Sequence, residues 1–314
     1  MSDDWTRHPS SIAVIGMKRP IVITAGVIAL SGCTDATPET SSGVLQDALG
    51  EPDLVSLLEI VNSDVGEGWL SLSPDNQIAL FSRQVGGFGD QRIFLTEWGP
   101  DGWSSPSRAP FAMDLNERSA RFSGDGASVF FASTRPVPGF EEAKDFNIWS
   151  VSIDESGTWG TPSVLSDINS PADDFHPSVM SNGTVFFGSP REGGMGRSDQ
   201  YFASPGQAGW FLKSMGTLNT EFSEPDPFIA PDGSYLIFAR TGAPDGFGGD
   251  DLYVAFSSAH GWSEPKNLGD AVNTPEYEYG AFVTSDGKTL FYTTWASGTP
   301  QVAAIALSEL DTGL

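Results

Sequence analysis

The sequence predicts an all-β fold, a β-propeller of four-stranded blades, from three observations. A turn motif followed by an apolar stretch with aromatic residues recurs five times along the chain. The steps between successive copies are 50, 57, 50 and 54 residues, the range expected of four-stranded blades. The stretches between the turns show no sustained helical period, and the 36 glycines and 22 prolines would break helices.

The repeated turn predicts a β-hairpin in every unit. Asp-Gly and Asn-Gly pairs between apolar runs take up positive φ at little cost, and the runs are short, aromatic and β-branched, as strands are. Each turn is followed by a second aromatic strand, a turn containing Trp, and an Asn that closes the unit. The five turns centre on Asn76, Gly126, Gly183, Gly233 and Gly287, and the closing residues are Asn62, Asn116, Asn169, Asn219 and Asn273.

The last unit is incomplete, which predicts how the ring closes. It stops after residues 301–306, in the place of the second aromatic strand. Residues 52–62 resemble the stretch that precedes Asn273, so we expect an N-terminal strand to complete the last blade. Closure of this kind hides the strand edges. Five blades are predicted over residues 52–314; six blades, the alternative, would require one more unit.

The repeats resemble the WD40-like Pro-Asp repeats of TolB-like bacterial propellers. The resemblance rests on the five Asp/Asn-Gly turns and the aromatic strands after them, and it covers most of residues 60–307. It implies a non-enzymatic module that binds or scaffolds a partner in the cell envelope, either an envelope protein or a cell-wall-associated complex. The fold itself selects no ligand.

The N-terminus has the order of a lipoprotein signal. Lys18 and Arg19 precede ten apolar or small residues, a run too short to span a bilayer, and then Leu30-Ser31-Gly32-Cys33. This tetrapeptide resembles a lipobox, and Cys33 is the only cysteine. We expect a signal peptide over residues 1–33, with Met17 as a candidate start, and a flexible tether over residues 34–51. A monomer held by its lipid at the outer membrane and facing the periplasm is predicted; an ordinary cleaved signal is the alternative.

The net charge of −25 narrows the choice of partners. A surface of this sign repels nucleic acid and anionic lipid head groups, so we expect neither as a ligand. Membrane contact is therefore expected only through the N-terminal lipid. Cations, basic proteins and neutral glycans remain.

An acid stands nine residues before every turn centre, which makes a ring of carboxylates a candidate site. Ca²⁺ or Mg²⁺ could bind there through carboxylate oxygens. The alternative is that each acid caps a turn of its own blade or bonds the backbone of a neighbouring blade. The candidate ligands, with the nearby histidine, are Glu67, Glu117, Asp174, His176, Glu224 and Glu278.

An Arg follows each of the first four hairpins, and an Asp follows each Arg. The corresponding stretch of the last blade, residues 293–301, contains neither Arg nor Asp, so the sequence predicts structural ion pairs within blades. The predicted pairs are Arg83 with Asp90, Arg135 with Asp145, Arg191 with Asp199, and Arg240 with Asp251.

The sequence contains no recognisable catalytic set. No Ser/His/Asp order, paired metal histidines or phosphate loop appears, and no catalytic residue is predicted. A carbohydrate-binding or carbohydrate-active propeller that uses acids at the channel mouth is the alternative to a protein-binding one. The aromatic residues named for either use are Trp69, Phe88, Phe247 and Trp295.

Overall fold

The computed structural model describes residues 52–86, 89–139, 145–311 and 313–314. These residues form five antiparallel sheets, one per repeat unit, which confirms the predicted all-β, five-bladed propeller. The predicted signal peptide, Cys33 and the tether of residues 34–51 lie outside the described residues, as does Phe88. No helix in the described ranges is both long and apolar enough to cross a membrane.

The strands follow one another from the channel outwards in every blade. Blade 1 comprises β1 (Glu67–Leu72), β2 (Ile78–Gln84), β3 (Gln91–Gly99), β4 (Gly102–Trp103) and β5 (Ser107–Arg108). Blade 2 comprises β6 (Glu117–Phe122), β7 (Ser128–Ser133), β8 (Asn147–Ser152) and β9 (Ser163–Val164). Blade 3 comprises β10 (Phe175–Val179), β11 (Val185–Ser189), β12 (Asp199–Gly206) and β13 (Gly209–Ser214). Blade 4 comprises β14 (Phe228–Ile229), β15 (Tyr235–Thr241), β16 (Asp250–Ser258), β17 (Gly261–Trp262) and β18 (Lys266–Asn267). Blade 5 comprises β19 (Glu278–Val283), β20 (Thr289–Thr294) and β21 (Gln301–Ala306). Single 3-10 turns lie at Gly216–Leu218 and Leu307–Glu309.

The innermost strands enclose the channel. Strand β1 contacts β6, β6 contacts β10, β10 contacts β14, β14 contacts β19, and β19 returns to β1. This closed sequence of contacts joins the first blade to the last. Residues on these five strands can therefore meet at the axis although they are far apart in sequence.

The hairpin turns form as predicted. In blade 2, Asp125 Oδ1 accepts hydrogen bonds from Ala127 N at 3.0 Å and Ser123 Oγ at 2.6 Å. Gly126 follows with a φ of 72°, the left-handed conformation that glycine adopts without strain. The bonded Asp and the following Gly thus fix the turn between β6 and β7.

The closing asparagines replace backbone pairing at the third strand of a blade. Asn169 Oδ1 accepts from Ile148 N at 2.8 Å, and its Nδ2 donates to Ile148 O at 3.0 Å. Asn62 makes the same pair of bonds to Val302, both at 2.8 Å, across 240 residues of chain. Asn62 therefore links the start of the propeller to β21.

The predicted N-terminal strand is wrong, because this segment is helical. Residues Leu54–Val61 form the helix α1, Asp53 caps it by accepting from Val55 N at 2.9 Å, and the last sheet keeps three strands. Leu57 and Val61, four residues apart, are fully buried beside Phe291 and Val302. Apolar residues at positions 54, 57, 58 and 61 have the spacing of one helix face. The segment closes the last blade by side-chain packing and Asn62 instead of by a fourth strand.

Candidate functional site

The five predicted carboxylates do not assemble into a site on the channel. Each accepts a hydrogen bond from a backbone N–H four residues earlier in its own blade, at 2.5 to 3.1 Å. Each is fully or almost fully buried. The bonded pairs are Ser63 with Glu67, Met113 with Glu117, Ser170 with Asp174, Thr220 with Glu224, and Thr274 with Glu278.

Four of these carboxylates pair with the arginines that lie in or just after the second strands of blades 1 to 4, which corrects the predicted ion pairs. The pairs observed are Arg83 with Glu67 at 2.7 Å, Arg135 with Glu117 at 2.6 Å, Arg191 with Asp174 at 2.5 Å, and Arg240 with Glu224 at 3.1 Å. In blade 1 the ion pair follows from strand register, since Glu67 lies directly opposite Arg83 in the pairing of β1 with β2. Blade 5 has no Arg, and there Glu278 bonds the hydroxyls of Thr274 and Thr294 at 2.8 and 2.6 Å.

The aspartates predicted to pair with these arginines serve their own loops. Asp90 pairs with Arg92, and Asp145 accepts from Asn147 Nδ2 at 3.0 Å. Asp199 and Asp251 accept from loop N–H groups, those of Met195 at 2.9 Å and Phe247 at 3.0 Å respectively. With its acids engaged in this way, the described part of the chain contains no group of three or more His, Cys, Asp or Glu that could hold a metal ion. The predicted Ca²⁺ or Mg²⁺ site is therefore not formed by these residues.

A different set of five residues, one from each blade, surrounds the channel. All five have left-handed backbone conformations, with φ between 51° and 64°, and four of them sit where the register of the first two strands shifts. Such bulges redirect a side chain out of the strand pattern. We call this set the channel ring: Trp69, Ser119, His176, Asp226 and Gly280.

The channel ring is bonded across the axis. Asp226 Oδ1 accepts from Trp69 Nε1 at 2.6 Å and lies 2.7 Å from His176 Nδ1. Ser119 Oγ lies 2.7 Å from the same ring nitrogen, and the Trp69 and His176 rings stack with centroids 5.1 Å apart. His176 is thus held by the ring and does not join the five acids. A Cβ at Gly280 would lie 3.0 Å from Trp69 Cδ1, which explains the glycine.

Two arginines place positive charge beside this network. Arg121 donates to the carbonyls of Leu70 at 2.5 Å and Ala281 at 2.7 Å, and burial lowers its pKa to about 10. The Arg118 guanidinium lies 4.1 Å from the centroid of Phe146 and 5.7 Å from that of Trp69. Arginine side chains keep their proton in proteins, and both guanidinium groups interact with the negative charge of Asp226.

A pocket of about 470 Å³ opens directly on the channel ring. It combines four aromatic side chains with two carboxylates, and its lining includes no Lys, Arg or His. Trp69 and Tyr279 form the inner wall, with centroids 4.8 Å apart, while Tyr277 and Trp295 meet edge to face at 6.1 Å nearer the solvent. The residues of this channel-mouth pocket are Trp69, Asp226, Asp250, Tyr277, Tyr279 and Trp295.

The two carboxylates of the pocket have different environments. Burial alone would raise the pKa of Asp226, but the facing His176, the hydrogen bonds that Oδ1 accepts and the Arg118 charge lower it. Burial raises the pKa of Asp250, and the charges of Asp226 and Asp251 raise it further against a hydrogen bond from Thr241. The Asp250 carboxylate is thus the less compensated of the two.

Sequence reasoning found part of this pocket. Trp69 and Trp295, two of the aromatic residues predicted to contact a ligand, line it, although Trp69 is only 6% exposed. Phe247, which is 47% exposed, is not among the lining residues. Sequence reasoning did not name Asp226 or Asp250 as functional residues, nor Tyr277 or Tyr279. Asp226 occupies the same position in its repeat as His176 does in blade 3. That shared position is the signal in the sequence that could have identified Asp226.

Two solved structures support the fold, with TM-scores of 0.50 or more, and a third is similar at a TM-score too low to add support. A GH43 endo-arabinanase from Bacillus licheniformis is 12% identical with a TM-score of 0.52, over 78% of this chain and 95% of that one. A thermostable family-43 glycoside hydrolase is 9% identical with a TM-score of 0.50, over 77% and 89%. The β-propeller domain of the Trilobed protease from Pyrococcus furiosus is 15% identical with a TM-score of 0.42, over 75% and 65%. Identities this low show the fold alone.

No family model matches the chain, and the curated proteins give no match. The resemblance to the WD40-like Pro-Asp repeats of TolB-like proteins therefore has no support from these comparisons. The propeller fold is the part of that prediction that they bear out.

Proposed function

We propose that this chain is a carbohydrate-binding β-propeller that holds a sugar residue in the channel-mouth pocket. The observation that carries the proposal is the lining of that pocket, four aromatic rings with two carboxylates around about 470 Å³. This volume falls in the range of small-ligand sites, about 300 to 1,000 Å³. The site lies at the end of a channel, enclosed by side chains from blades 1, 4 and 5.

The lining suits the two kinds of surface that a sugar presents. Aromatic rings pack against the apolar C–H face of a pyranose, and Tyr277, which is 45% exposed, can be reached from solvent beside Trp295. Carboxylates accept hydrogen bonds from sugar hydroxyls, and charge-assisted bonds of this kind are the strong ones. Because Asp226 is fixed by Trp69 and His176, that acceptor is positioned before a ligand arrives.

The fold comparison and the N-terminal segment give further support to the proposal. The solved structures that share the fold include glycoside hydrolases, so the fold is compatible with a sugar site although the likeness assigns none. The signal-like segment ending at Cys33 supports an envelope location, where glycans are abundant. The proposal therefore includes a lipid anchor at Cys33 and exposure to the periplasm from the outer membrane.

Binding of defined oligosaccharides tests the proposal. We expect calorimetry with β-1,4-linked hexose tetramers to show saturable binding to the wild type, weakened at least tenfold in both Trp295→Ala and Tyr277→Ala. Phe211→Ala is the matched control, because Phe211 is an exposed aromatic residue on β13, outside the pocket. Absence of binding across neutral, amino and acidic sugars would reject the proposal.

Protein binding, implied by the resemblance, is the competing prediction. A pull-down from envelope extract with the wild type and Trp295→Ala separates the two. Capture of one envelope protein in stoichiometric amounts by both forms, with no sugar bound by either, would favour protein binding.

A further inference from the structure

We infer that the preferred ligand of the channel-mouth pocket is a cationic amino sugar, whose free ammonium group pairs with the Asp250 carboxylate. This inference rests on the proposed function and specifies the class of sugar.

The negative charge of Asp226 is already balanced by groups of the protein. Its Oδ1 binds Trp69 and His176, and Arg118 and Arg121 lie close enough to the channel ring to act on it. A ligand cation at Asp226 would compete with those groups. Asp226 is thus better suited to accept a hydrogen bond from a sugar hydroxyl group than to pair with an ammonium group.

The negative charge of Asp250 is not balanced in the same way. Its described hydrogen bond comes from Thr241 Oγ1, at 2.5 Å, and among the described residues no Lys, Arg or His forms an ion pair with it. The neighbouring Asp226 and Asp251 add negative potential at this carboxylate, and Arg197 opposes them only in part. A cation bound here would relieve repulsion between like charges.

The rest of the pocket favours a cation attached to a pyranose over a bare ion. The faces of Trp and Tyr rings attract ammonium groups, so Trp295 and Tyr277 can serve both the charge and the apolar face of the sugar. A bare metal ion requires several oxygen ligands, whereas two carboxylates stand among four aromatic side chains here. The net charge of −25 also concentrates cationic glycans near the protein.

Three tetrasaccharides with the same linkage and ring configuration isolate the charge. The β-1,4 tetramers of glucosamine, N-acetylglucosamine and glucose differ at C2, with an ammonium, acetamide or hydroxyl group. We expect the glucosamine tetramer to bind the wild type at least tenfold more tightly than the other two at pH 6, equivalent to about 1.4 kcal/mol.

The variant Asp250→Asn should remove this preference, so that it binds the glucosamine tetramer no more tightly than the glucose tetramer. Glu264→Gln, which removes an exposed carboxylate outside the pocket, controls for the general attraction of a cationic glycan to an acidic protein. The wild-type affinity should also follow a bell-shaped pH profile. It should fall at low pH as Asp250 is protonated and at high pH as the amine loses its proton.

The outcomes separate this inference from the proposed function. Equal or tighter binding of a neutral tetramer would overturn the amino-sugar preference while the sugar site stands. An equal loss of preference in Glu264→Gln and Asp250→Asn would also overturn it, since the charge effect would then be nonspecific. Failure of all three tetramers to bind would overturn this inference together with the proposed function. If Asp250→Asn does not fold, the wild-type pH profile decides, and an affinity independent of pH counts against the inference.

Discussion

The indole N–H of Trp69 donates to Asp226 Oδ1 at 2.6 Å, joining residues 157 positions apart in sequence. Trp69 lies in blade 1 and Asp226 in blade 4, which are not neighbours in a ring of five. The bond therefore crosses the channel. It joins two residues that line the channel-mouth pocket, so the same contact contributes to stability and to the shape of the site.

Asp226→Asn should destabilise the protein by about 3 kcal/mol, because removing the negative charge from a buried cluster of charged side chains leaves its positive charges uncompensated. The charges left behind are those of Arg118 and Arg121. Urea unfolding at pH 7 measures the change. Asp270→Asn, on the exposed surface, is the control and should alter stability by less than about 0.5 kcal/mol. A stability equal to that of the wild type would mean that the negative charge of Asp226 makes no net contribution to stability.

Stability should decline as the pH falls below neutrality, in part because of His176. Burial lowers the pKa of this histidine from 6.5. The unfolded chain therefore takes up the proton at a higher pH than the folded chain, and acidification favours unfolding until the folded pKa is reached. The lowered pKa of Asp226 acts in the same direction at lower pH.

Denaturant unfolding between pH 7.5 and 5 measures this dependence. His176→Asn, which keeps a polar group near Asp226, should flatten the slope over that interval. An unchanged slope in the variant would show that His176 does not account for it.

The internal differences among the blades provide a matched test of the buried acids. Glu117→Gln leaves Arg135, 6% exposed, without its carboxylate and should cost about 3 to 5 kcal/mol. Glu278→Gln removes a charge that only hydroxyl and N–H groups bind, so its cost should be smaller, about 1 to 3 kcal/mol. Thermal unfolding of both variants measures the difference. A higher melting temperature in either variant would instead indicate repulsion among the acids.

Much of the fold was predictable because the repeat carries its own chemistry. The Asp125 and Gly126 turn and the Asn169 bonds to β8 use side chains whose geometry follows from residue type. The likeness of residues 52–62 to a stretch of blade 4 predicts a strand, whereas the four-residue spacing of the buried Leu57 and Val61 is that of the helix α1. Aligning repeats reveals what blades share, whereas α1 occurs once.

The candidate site was harder to predict for the opposite reason. Conspicuous acids such as Glu67 recur because they hold each blade together, and recurrence made them look like a ring. The channel ring differs from blade to blade, with Trp69 opposite Asp226 and a glycine at Gly280. Its pairing depends on which blades face each other across the axis, which no local pattern in the sequence specifies.

The lipid anchor is tested independently of the propeller. Expression in a Gram-negative host with radiolabelled palmitate should label the wild type and leave Cys33→Ala unlabelled, because Cys33 supplies the only thiol in the chain. Globomycin should cause the unprocessed form to accumulate. Recovery of unlabelled, soluble wild type from the periplasm would show that the segment is an ordinary cleaved signal.

The segment that closes the ring gives the sharpest test of the architecture. Asn62→Ala should cost about 1 to 3 kcal/mol, since it leaves the N–H and C=O of Val302 without their partners at the edge of the last blade. Deleting residues 52–62 should cost several kcal/mol more, because it also exposes the surface that Leu57 and Val61 cover. Asn169→Ala is the matched control, as it removes the same pair of bonds from Ile148 within a blade that the chain completes locally. Calorimetric melting of the four proteins measures these changes, with Asn62→Ala expected to resemble Asn169→Ala and the deletion to melt lowest. If the deletion variant unfolds cooperatively at the wild-type temperature, α1 and Asn62 do not hold the ring closed.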